Sequence, residues 1–450
     1  MGKLFGTDGI RGVANEYPMT AEMALNVGRA VAFVFGKERG RAKVVIGKDT
    51  RISGNMLEYA MVSGICSMGG SAYLIGTLPT PGIAFMISLM DADAGVVISA
   101  SHNPFYDNGI KIFKSDGYKL SDEKEAEIEQ LLLDDTLASK CGSVRETGNI
   151  YRTENFGNRY VGFLKRSIPK ECRFNGMKII LDCSNGATYR VAPDVFTDLG
   201  ADVEALFVSP DGKNINENCG SQHTEILRKR VIETGADAGL AFDGDGDRLI
   251  AVDEKGGTIT GDQILIICAS VLKKKELLKN NTVVSTVMSN LGFKLALKDM
   301  GIKHIEADVG DRYVMEEMLA SGSVVGGEDS GHVIFLDHHT TGDGILTALK
   351  LVEAMKTEAK PLSELGRMMA VFPQELMNVE VREKPDILTV PEIRDAIEGV
   401  EKHLGEKGRV LVRYSGTQPL CRVMVEGPTA EETRQCCQQI TDVVRNALGV

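Results

Sequence analysis

Short, uninterrupted apolar runs followed by polar loops recur three times along the chain. They begin at Lys43, Lys178 and Thr282, in the stretches KVVIGKDT, KIILDCSN and TVVSTVMSN. A run of this kind indicates a strand covered on both faces, and a stretch of helical periodicity follows each loop. Strands that alternate with helices in this way predict parallel sheets with helices on both faces. The pattern therefore predicts three α/β domains of one architecture, despite little sequence identity between them.

The remaining pattern adds helices and a different C-terminal domain. Residues 20–36 carry apolar side chains at helical spacing, and Ser121 can cap another helix. After a boundary near 365–372, the chain changes to short strands mixed with helices, which predicts a smaller α+β domain. Its predicted elements are strands near 379–381, 410 and 423, a helix from about Pro391, and a final helix capped by Thr429 with Glu432. The predicted domains are residues 1–153, 154–255, 256–366 and 372–450.

Composition and charge narrow the class of protein. The 450 residues are 43% hydrophobic and 25% charged, as in ordinary soluble proteins, and the net charge is −12. That charge argues against non-specific binding to nucleic acid or anionic membrane, so an anionic ligand needs local Arg and Lys clusters. The nine cysteines show no C-x-x-C and no paired Cys/His spacing, so neither zinc nor a disulfide framework is expected. Without a signal-peptide pattern or an apolar run that could span a bilayer, we expect a cytoplasmic protein.

The acidic loop Asp243-Gly-Asp245-Gly-Asp247-Arg248 lies between two apolar runs. Three unpaired carboxylates do not belong in a core, because buried charge is costly. In an extended segment alternate side chains point to the same side, so the three carboxylates can converge on one hard cation. A solvated acidic turn and a phosphatase nucleophile loop remain alternatives. An EF-hand does not fit, because its sixth position needs Gly and the chain has Arg248 there.

A second polar loop, Ser99-Ala-Ser101-His102-Asn-Pro104, follows the apolar run 95–98. At the carboxyl end of a parallel strand it would lie where open α/β sheets place their ligands, although an Asn-Pro turn with capping serines is an alternative. A Ser-His-Asp hydrolase is not supported, because adjacent side chains diverge in an extended segment and no G-x-S-x-G elbow occurs. A cation loop and an exposed serine suggest phosphoryl chemistry. The chain has no P-loop or kinase motif set, so a nucleotide donor is not indicated.

Two further loops have the chemistry of binding sites. The stretch GGEDSGH at 326–332 places an acceptor, a hydroxyl and an imidazole between glycines, which suits recognition of sugar hydroxyls. The stretch RYSGTQP at 413–419, followed by Arg422, concentrates guanidinium groups, hydroxyls and backbone amides, which suits a phosphate dianion. A solvated surface loop is the alternative for each of them.

These four loops, together with FGTDGIRG at 5–12, resemble the motifs of the α-D-phosphohexomutase superfamily. The resemblance covers essentially the whole chain, with one motif per domain in the expected order. The fold it implies is α/β: three similar α/β/α domains with mixed, mostly parallel sheets and a smaller C-terminal α+β domain, around a central cleft. Supporting stretches are GKDTRISG at 47–54, NGIK at 108–111, NIN at 214–216 with CGS at 219–221, TVMSN at 286–290 and VGDRYV at 309–314.

The resemblance also implies roles for individual residues. It implies that Mg²⁺ is bound by Asp243, Asp245, Asp247 and an oxygen of phosphorylated Ser101. The catalytic set, with Lys111 and His332 as candidates for proton transfer, is Ser101, Arg11, His102, Lys111, Arg248 and His332. Glu328 and Ser330 match the sugar-binding loop. The loop that holds the non-reacting phosphate matches Arg413, Ser415, Gly416, Thr417 and Arg422.

The activity implied is the Mg²⁺-dependent interconversion of glucosamine 6-phosphate and glucosamine 1-phosphate, through phosphoserine and a 1,6-bisphosphate that also serves as activator. Such an enzyme supplies amino-sugar nucleotide for cell-wall precursors. The expected partner is therefore a small hexosamine phosphate rather than nucleic acid or membrane, and a homodimer is possible. Glucose or mannose phosphates as substrates, and a non-catalytic sugar-phosphate sensor, are the alternatives. The chain departs from the family pattern at Asp329 and Gln418, which leaves sugar preference and the C-terminal domain's setting open.

Overall fold

The computed structural model describes residues 4–6, 8–134, 136–152, 155–415 and 418–450, without the side chains of residues 38 and 39. The chain divides into two compact units. The first contains the chain through Val287 and the segment Lys303–Arg367, and the second contains Met288–Ile302 and Met368–Val450. Within the described residues, four sheets, of six, five, four and three strands, follow one another along the sequence. No helix in the described part of the chain is long and apolar enough to cross a membrane.

The first sheet has the strand order β1-β5-β4-β2-β3-β6. Strands β2, β3, β4 and β6 are parallel, and β5 joins β4 antiparallel. Strand β4 is buried along its whole length, as its continuous apolar sequence predicts. The elements are β1 Ile10–Val13, α1 Ala21–Arg39, β2 Lys43–Lys48, α2 Gly54–Ser67, β3 Ser71–Thr77, α3 Thr80–Leu89, β4 Ala94–Ile98, β5 Asp107–Lys114, α4 Asp122–Leu133 and β6 Ile150–Arg152.

The second sheet, in the order β11-β10-β9-β7-β8, repeats the same plan. Strands β7, β8 and β9 are parallel, and β9 turns back into the antiparallel β10. Its elements are α5 Phe156–Arg166, β7 Lys178–Asp182, α6 Val191–Asp198, β8 Asp202–Leu206, α7 Glu225–Thr234, β9 Ala238–Phe242, β10 Leu249–Asp253 and β11 Thr258–Ile259.

The third sheet has the order β13-β12-β14-β15, again parallel except at one edge. Between its strands β12 and β13 the chain contributes helix α9, which belongs to the second unit. The elements are α8 Gly261–Lys274, β12 Thr282–Thr286, α9 Leu291–Asp299, β13 Lys303–Ala307, α10 Asp311–Ser321, β14 Val325–Gly327, β15 Val333–Phe335, α11 Gly344–Glu358 and α12 Leu362–Leu365.

The second unit contains an antiparallel sheet in the order β16-β18-β17. Its core packs the sheet with apolar residues of two long helices. At its centre the buried carboxylate of Glu426 accepts hydrogen bonds from Asn290, Leu291 and Arg409. The elements are β16 Gln374–Glu380, α13 Pro391–Leu404, β17 Arg409–Tyr414, β18 Leu420–Glu426 and α14 Ala430–Leu448.

The predicted fold class is confirmed: mixed, mostly parallel sheets with helices are followed by a small part with an antiparallel sheet. The predicted helix at 20–36 is α1, and the apolar runs at Lys43, Lys178 and Thr282 form β2, β7 and β12. Two capping predictions need correction. Ser121 precedes α4 without a capping hydrogen bond from its side chain, and Thr429 accepts from the Glu432 amide without a complete capping box. The four predicted domain boundaries stay predictions.

Candidate active site

The acidic loop joins β9 to β10, and its three carboxylates converge. Asp243, Asp245 and Asp247 are all buried, and their ligand oxygens lie within 4.8 Å of one another. The loop is a tight turn, in which Gly246 has φ 73 and its amide donates to the Asp243 carbonyl at 3.1 Å. The predicted convergence is therefore correct but the predicted extended backbone is wrong, because the left-handed glycine reverses the chain.

The carboxylates of this loop lie close together, and two of them are incompletely hydrogen-bonded. Burial and the neighbouring charges of Asp247 and Asp245 raise the pKa of Asp243 well above its usual range. One oxygen each of Asp245 and Asp247 is buried without a hydrogen-bond partner in the described structure. Three converging carboxylates, two of them with an oxygen that lacks a hydrogen bond, fit a divalent cation such as Mg²⁺. The three aspartates could therefore hold a metal ion.

Ser101 lies directly against this loop. It follows the buried strand β4 and has a left-handed φ of 53°, which is uncommon for a residue other than glycine. Its hydroxyl donates to a carboxylate oxygen of Asp243 at 2.5 Å. His102 Nδ1 is 3.3 Å from the same hydroxyl, and burial together with the charges of Arg248 and Arg11 lowers the pKa of His102 to about 4. The serine therefore has a neutral imidazole on one side and the candidate metal site on the other.

Three cationic side chains surround the acidic loop. Lys111 on β5 is buried, and its Nζ lies 3.0 Å from both Asp245 and Asp8. Burial alone would lower the pKa of Lys111, but these carboxylates raise it, so the ammonium group stays charged. Arg248 donates its backbone amide to Asp243, and Arg11 on β1 bonds Asp8. The Nε atoms of both arginines are buried without a hydrogen-bond partner in the described structure, which leaves donors for an anionic group.

His332 lies between two acidic groups. Its Nδ1 is 3.6 Å from Asp247 and its Nε2 is 3.7 Å from Asp311, and a backbone bridge joins His332 to Arg248. Burial would lower the pKa of His332, but a hydrogen bond and the charges of these carboxylates raise it. The Gly342 amide donates to Nε2 at 3.2 Å, which fits the neutral ring with its proton on Nδ1. The two carboxylates would stabilise a cationic ring, although protonation of Nε2 would break the hydrogen bond from Gly342.

An ion network that the sequence analysis missed connects these groups. Lys119 bonds Asp8 at 2.5 Å and also pairs with Asp311, so it links the chain before β1 to the start of α10. Thr80 at the start of α3 donates its hydroxyl to Asp245 at 2.7 Å. Asp8 and Asp311 lie inside the motifs at 5–12 and 309–314, but the sequence assigns them no role. Lys119 belongs to no motif. Only the fold brings it to the site.

The sugar-loop candidates lie at the end of β14. The Glu328 carboxylate accepts the Gly310 amide at 3.1 Å, and its charge acts on both Arg248 and His332. Ser330 is exposed. Asp329, which departs from the family pattern, accepts the backbone amide of Asp262 at the start of α8 at 3.3 Å. Its carboxylate therefore stabilises a helix N-terminus.

The phosphate-loop candidates belong to the second unit. Arg413 on β17 lies directly opposite Arg422 on β18. Like charges facing each other across a sheet are unfavourable, and an anion between them would offset the repulsion. Ser415 is buried, and its hydroxyl accepts the amide of Gln418 at 3.3 Å, so the glutamine helps to close the loop through its backbone. The predicted residues Gly416 and Thr417 lie outside the described residues.

Comparison with known proteins gives consistent matches along the chain. Four domain models of phosphoglucomutase/phosphomannomutase match: α/β/α domains I, II and III at residues 2–138, 158–257 and 260–372, and the C-terminal domain at 376–443. The sequence is 62% identical over 449 residues to a phosphoglucosamine mutase of Syntrophus aciditrophicus (strain SB), with 100% of both chains covered.

Solved structures share the fold. A phosphoglucomutase/phosphomannomutase family protein of Burkholderia thailandensis superposes with a TM-score of 0.81 at 22% identity, covering 99% of each chain. An N-acetylphosphoglucosamine mutase of Aspergillus fumigatus, in complex with GlcNAc-6P and magnesium, gives a TM-score of 0.68 at 16% identity and covers 99% of this chain and 96% of its own. At these identities the likeness is one of fold alone.

Proposed function

The chain belongs to the phosphoglucomutase/phosphomannomutase family of the α-D-phosphohexomutase superfamily, and we propose that it interconverts glucosamine 6-phosphate and glucosamine 1-phosphate. Members of this family are enzymes that move a phosphoryl group between two positions of one sugar. The high identity to a phosphoglucosamine mutase supports glucosamine as the sugar. The expected product supplies amino-sugar nucleotide for cell-wall precursors.

The observation that carries the mechanism is the 2.5 Å contact between the Ser101 hydroxyl and the buried acidic loop. We propose that Ser101 carries a phosphoryl group, which passes to the free sugar hydroxyl and gives a 1,6-bisphosphate. The bisphosphate turns over, and its other phosphoryl group returns to Ser101. Mg²⁺, held by Asp243, Asp245 and Asp247 with an oxygen of the phosphoserine, would neutralise charge at the transferring group.

Protons must move with the phosphoryl group. As the new O–P bond forms, the sugar hydroxyl loses its proton, and neutral His332 with a carboxylate on either side is suited to accept it. Lys111, which stays charged among Asp245 and Asp8, is suited to stabilise the transferring oxygens or return a proton. Arg11 and Arg248 add donors to the same group, and the neutral ring of His102 faces the serine oxygen.

Binding of the rest of the substrate falls to the other two loops in this proposal. The Glu328 carboxylate accepts hydrogen bonds from sugar hydroxyls, and the Ser330 hydroxyl donates to them. The facing pair Arg413 and Arg422, with Ser415, binds the phosphate that does not react. Glucose or mannose phosphates would satisfy most of these contacts, so discrimination depends on few groups.

The decisive test measures Ser101 directly. Intact mass of purified protein is expected to include a species about 80 Da heavier than the sequence, with the addition localised to Ser101. Ser101→Ala activated with glucose 1,6-bisphosphate is expected to show almost no mutase turnover, since no other residue takes the phosphoryl group. Full activity of that variant would overturn the mechanism.

Substrate choice is tested separately by kcat/KM for glucosamine, glucose and mannose phosphates. The highest ratio is expected for glucosamine 6-phosphate, and a higher ratio for mannose or glucose phosphate would reassign the enzyme within its family. A protein that binds these sugars but stays inactive after bisphosphate activation would be a sensor.

The setting of the enzyme follows from simpler features. Its nine cysteines are all free thiols, which is compatible with the reducing cytoplasm we propose. The proposed homodimer is testable by sedimentation of the purified protein at micromolar concentration.

A further inference from the structure

The Ser101 turn is held in an unfavourable conformation by side chains that no step of the proposed mechanism uses. A left-handed φ on a residue other than glycine is unfavourable and persists only when its surroundings enforce it. Ser101 has φ 53. Its amide donates to the Ser99 hydroxyl at 3.0 Å, which in turn donates to the Asp49 carboxylate at 2.6 Å. The N–H side of the turn is thereby fixed.

Arg51 fixes the carbonyl side of the same turn. Its guanidinium is fully buried and pairs through Nε with Asp49 at 2.8 Å. One terminal nitrogen donates to the carbonyl oxygens of Ser101 and Asn103, at 2.9 and 2.7 Å. The other donates to the carbonyl oxygens of Pro104 and Asp107, the latter at 3.0 Å. A single buried cation therefore bonds four carbonyls of the segment that carries the serine.

Asn216, from a loop of the second sheet, bonds the same two carbonyls. Its side-chain amide donates to Ser101 O at 2.9 Å and to Asn103 O at 3.0 Å. A Cβ added at Gly244 would lie 2.6 Å from the Ser101 carbonyl oxygen and 2.8 Å from the Asn216 amide nitrogen. The glycine between two of the metal-site acids is thus what lets this amide and the serine carbonyl approach the acidic loop.

We propose that Arg51 and Asn216 are positioning residues that hold the Ser101 backbone in its left-handed turn and so aim the hydroxyl, or its phosphoryl group, at the acidic loop. The inference rests on the proposed role of Ser101 in phosphoryl transfer. Both donors bond the backbone carbonyl of Ser101, not its hydroxyl. Their sequence motifs, at 47–54 and 214–216, thereby acquire a function.

This arrangement predicts a specific kinetic signature. If the turn relaxes, the phosphoryl group is misplaced against its acceptor, and a displacement of about 1 Å can cost about 10²-fold in rate. Substrate binding depends on other loops, and in the unphosphorylated enzyme metal binding depends on the three aspartates alone. We therefore expect kcat to fall while KM for glucosamine 6-phosphate and the affinity of the unphosphorylated enzyme for Mn²⁺ stay unchanged.

The test compares Asn216→Gly with Asn218→Gly in the full-length enzyme phosphorylated with glucose 1,6-bisphosphate. Both asparagines have positive φ, 59° and 52°, so glycine fits both backbones, but Asn218 is exposed and serves as the matched control. Asn216→Gly is expected to lower kcat about 10- to 100-fold, and Asn218→Gly to leave it at the wild-type value. Wild-type turnover and Ser101 phosphorylation, measured in parallel, test the proposed function independently of this comparison.

Arg51→Lys provides a second variant with the charge retained. An ammonium group cannot reproduce the planar fork that reaches four carbonyls and Asp49, so the same selective loss of kcat is expected. If Arg51→Lys does not fold, Asn216→Gly carries the test alone. An unchanged kcat in Asn216→Gly, an equal loss in Asn218→Gly, or a parallel loss of Mn²⁺ affinity would overturn the proposal.

Discussion

Buried carboxylates in the two units of this protein have opposite surroundings. In the second unit, Glu426 is completely buried and its oxygens accept from the Asn290 side chain at 3.2 Å, the Leu291 amide at 2.9 Å and Arg409 at 2.5 Å. In the first unit, Asp243 lies among two further buried acids, and Asp245 and Asp247 each keep an oxygen without a hydrogen-bond partner in the described structure. Glu426 has a matched cation and donors. The acids of the cluster share Lys111 and Arg248, but burial together with their mutual repulsion still raises the pKa of Asp243.

The difference indicates how to separate a structural acid from a functional one. A buried charge that is paired and hydrogen-bonded helps to define the fold, while buried charges that repel each other need something the protein itself does not supply. Removal of the acid lowers stability in the first arrangement. In the second arrangement it raises the stability of the metal-free protein and lowers activity.

The largest expected effect concerns Asp243→Asn, which keeps the shape and removes one negative charge. We expect mutase kcat to fall by at least about 10²–10³-fold, the range seen when one electrostatic contact to a transition state is lost. The metal-free variant is expected to unfold at a higher temperature than metal-free wild type, because repulsion inside the loop decreases. Lower stability of the metal-free variant would show that the acids are balanced without a cation.

The next effect is stabilisation of the wild-type protein by metal. At a Mg²⁺ concentration one hundred times the Kd, ligand binding to the folded state alone adds about 2.7 kcal/mol to the free energy of unfolding. Thermal unfolding with Mg²⁺ and with EDTA measures it. The gain is expected to shrink in Asp243→Asn and to persist in Glu426→Gln.

Glu426→Gln is expected to have the reverse profile. Loss of the charge that pairs with Arg409 leaves a partly buried guanidinium without its carboxylate, which costs about 1–3 kcal/mol in the unfolding of the second unit. Denaturant unfolding, monitored through hydrogen exchange of the β18 amides, measures this cost. The control is Glu431→Gln, which removes the same charge at an exposed position. Mn²⁺ affinity of the first unit is expected to remain at its wild-type value. A loss of metal affinity would contradict the contrast between the two acids.

Asp182 is an intermediate case with the smallest expected effect. It accepts two backbone amides, from Ser184 and Gly220, and burial raises its pKa to about 7. Because the folded-state pKa is raised, its contribution to stability is complete below the unfolded pKa of 3.8 and is lost as pH rises through about 7. Asp182→Asn should therefore flatten the fall of stability between about pH 4 and 7, by on the order of 1 kcal/mol. If stability depends on pH in the same way in Asp182→Asn as in the wild type, a group other than Asp182 is responsible for the dependence.

Periodicity and loop chemistry were sufficient to predict most of the fold. The buried strands β2, β4, β7, β9 and β12 are continuous apolar runs, and the acidic loop between β9 and β10 was predicted from its spacing. The turn at Gly246 was not predicted, because a glycine between acids is compatible with both extended and left-handed backbone. Charge convergence could be predicted from sequence, but the backbone that produces it could not.

Residues that act through long-range contacts escaped sequence reasoning. Lys119 joins Asp8 to Asp311, and Asn216 reaches Ser101, across sequence separations that no local pattern encodes. Arg51 lies within the motif at 47–54, yet its hydrogen bonds to four carbonyls depend on how this loop approaches the segment 101–107. Such groups are found only when the sheets are assembled.

The second unit is built from two separated stretches of chain, and this has a consequence for synthesis on the ribosome. Asn290 and helix α9 are synthesised long before Glu426. At roughly 5–20 residues per second, Glu426 follows on the order of ten seconds later, and only then can the Asn290 side chain form its hydrogen bond to it. During that interval the apolar face of α9, with Phe293, Ala296 and Leu297, has not met the rest of its unit. A nascent chain paused between 303 and 425 should therefore be the species that chaperones bind most strongly.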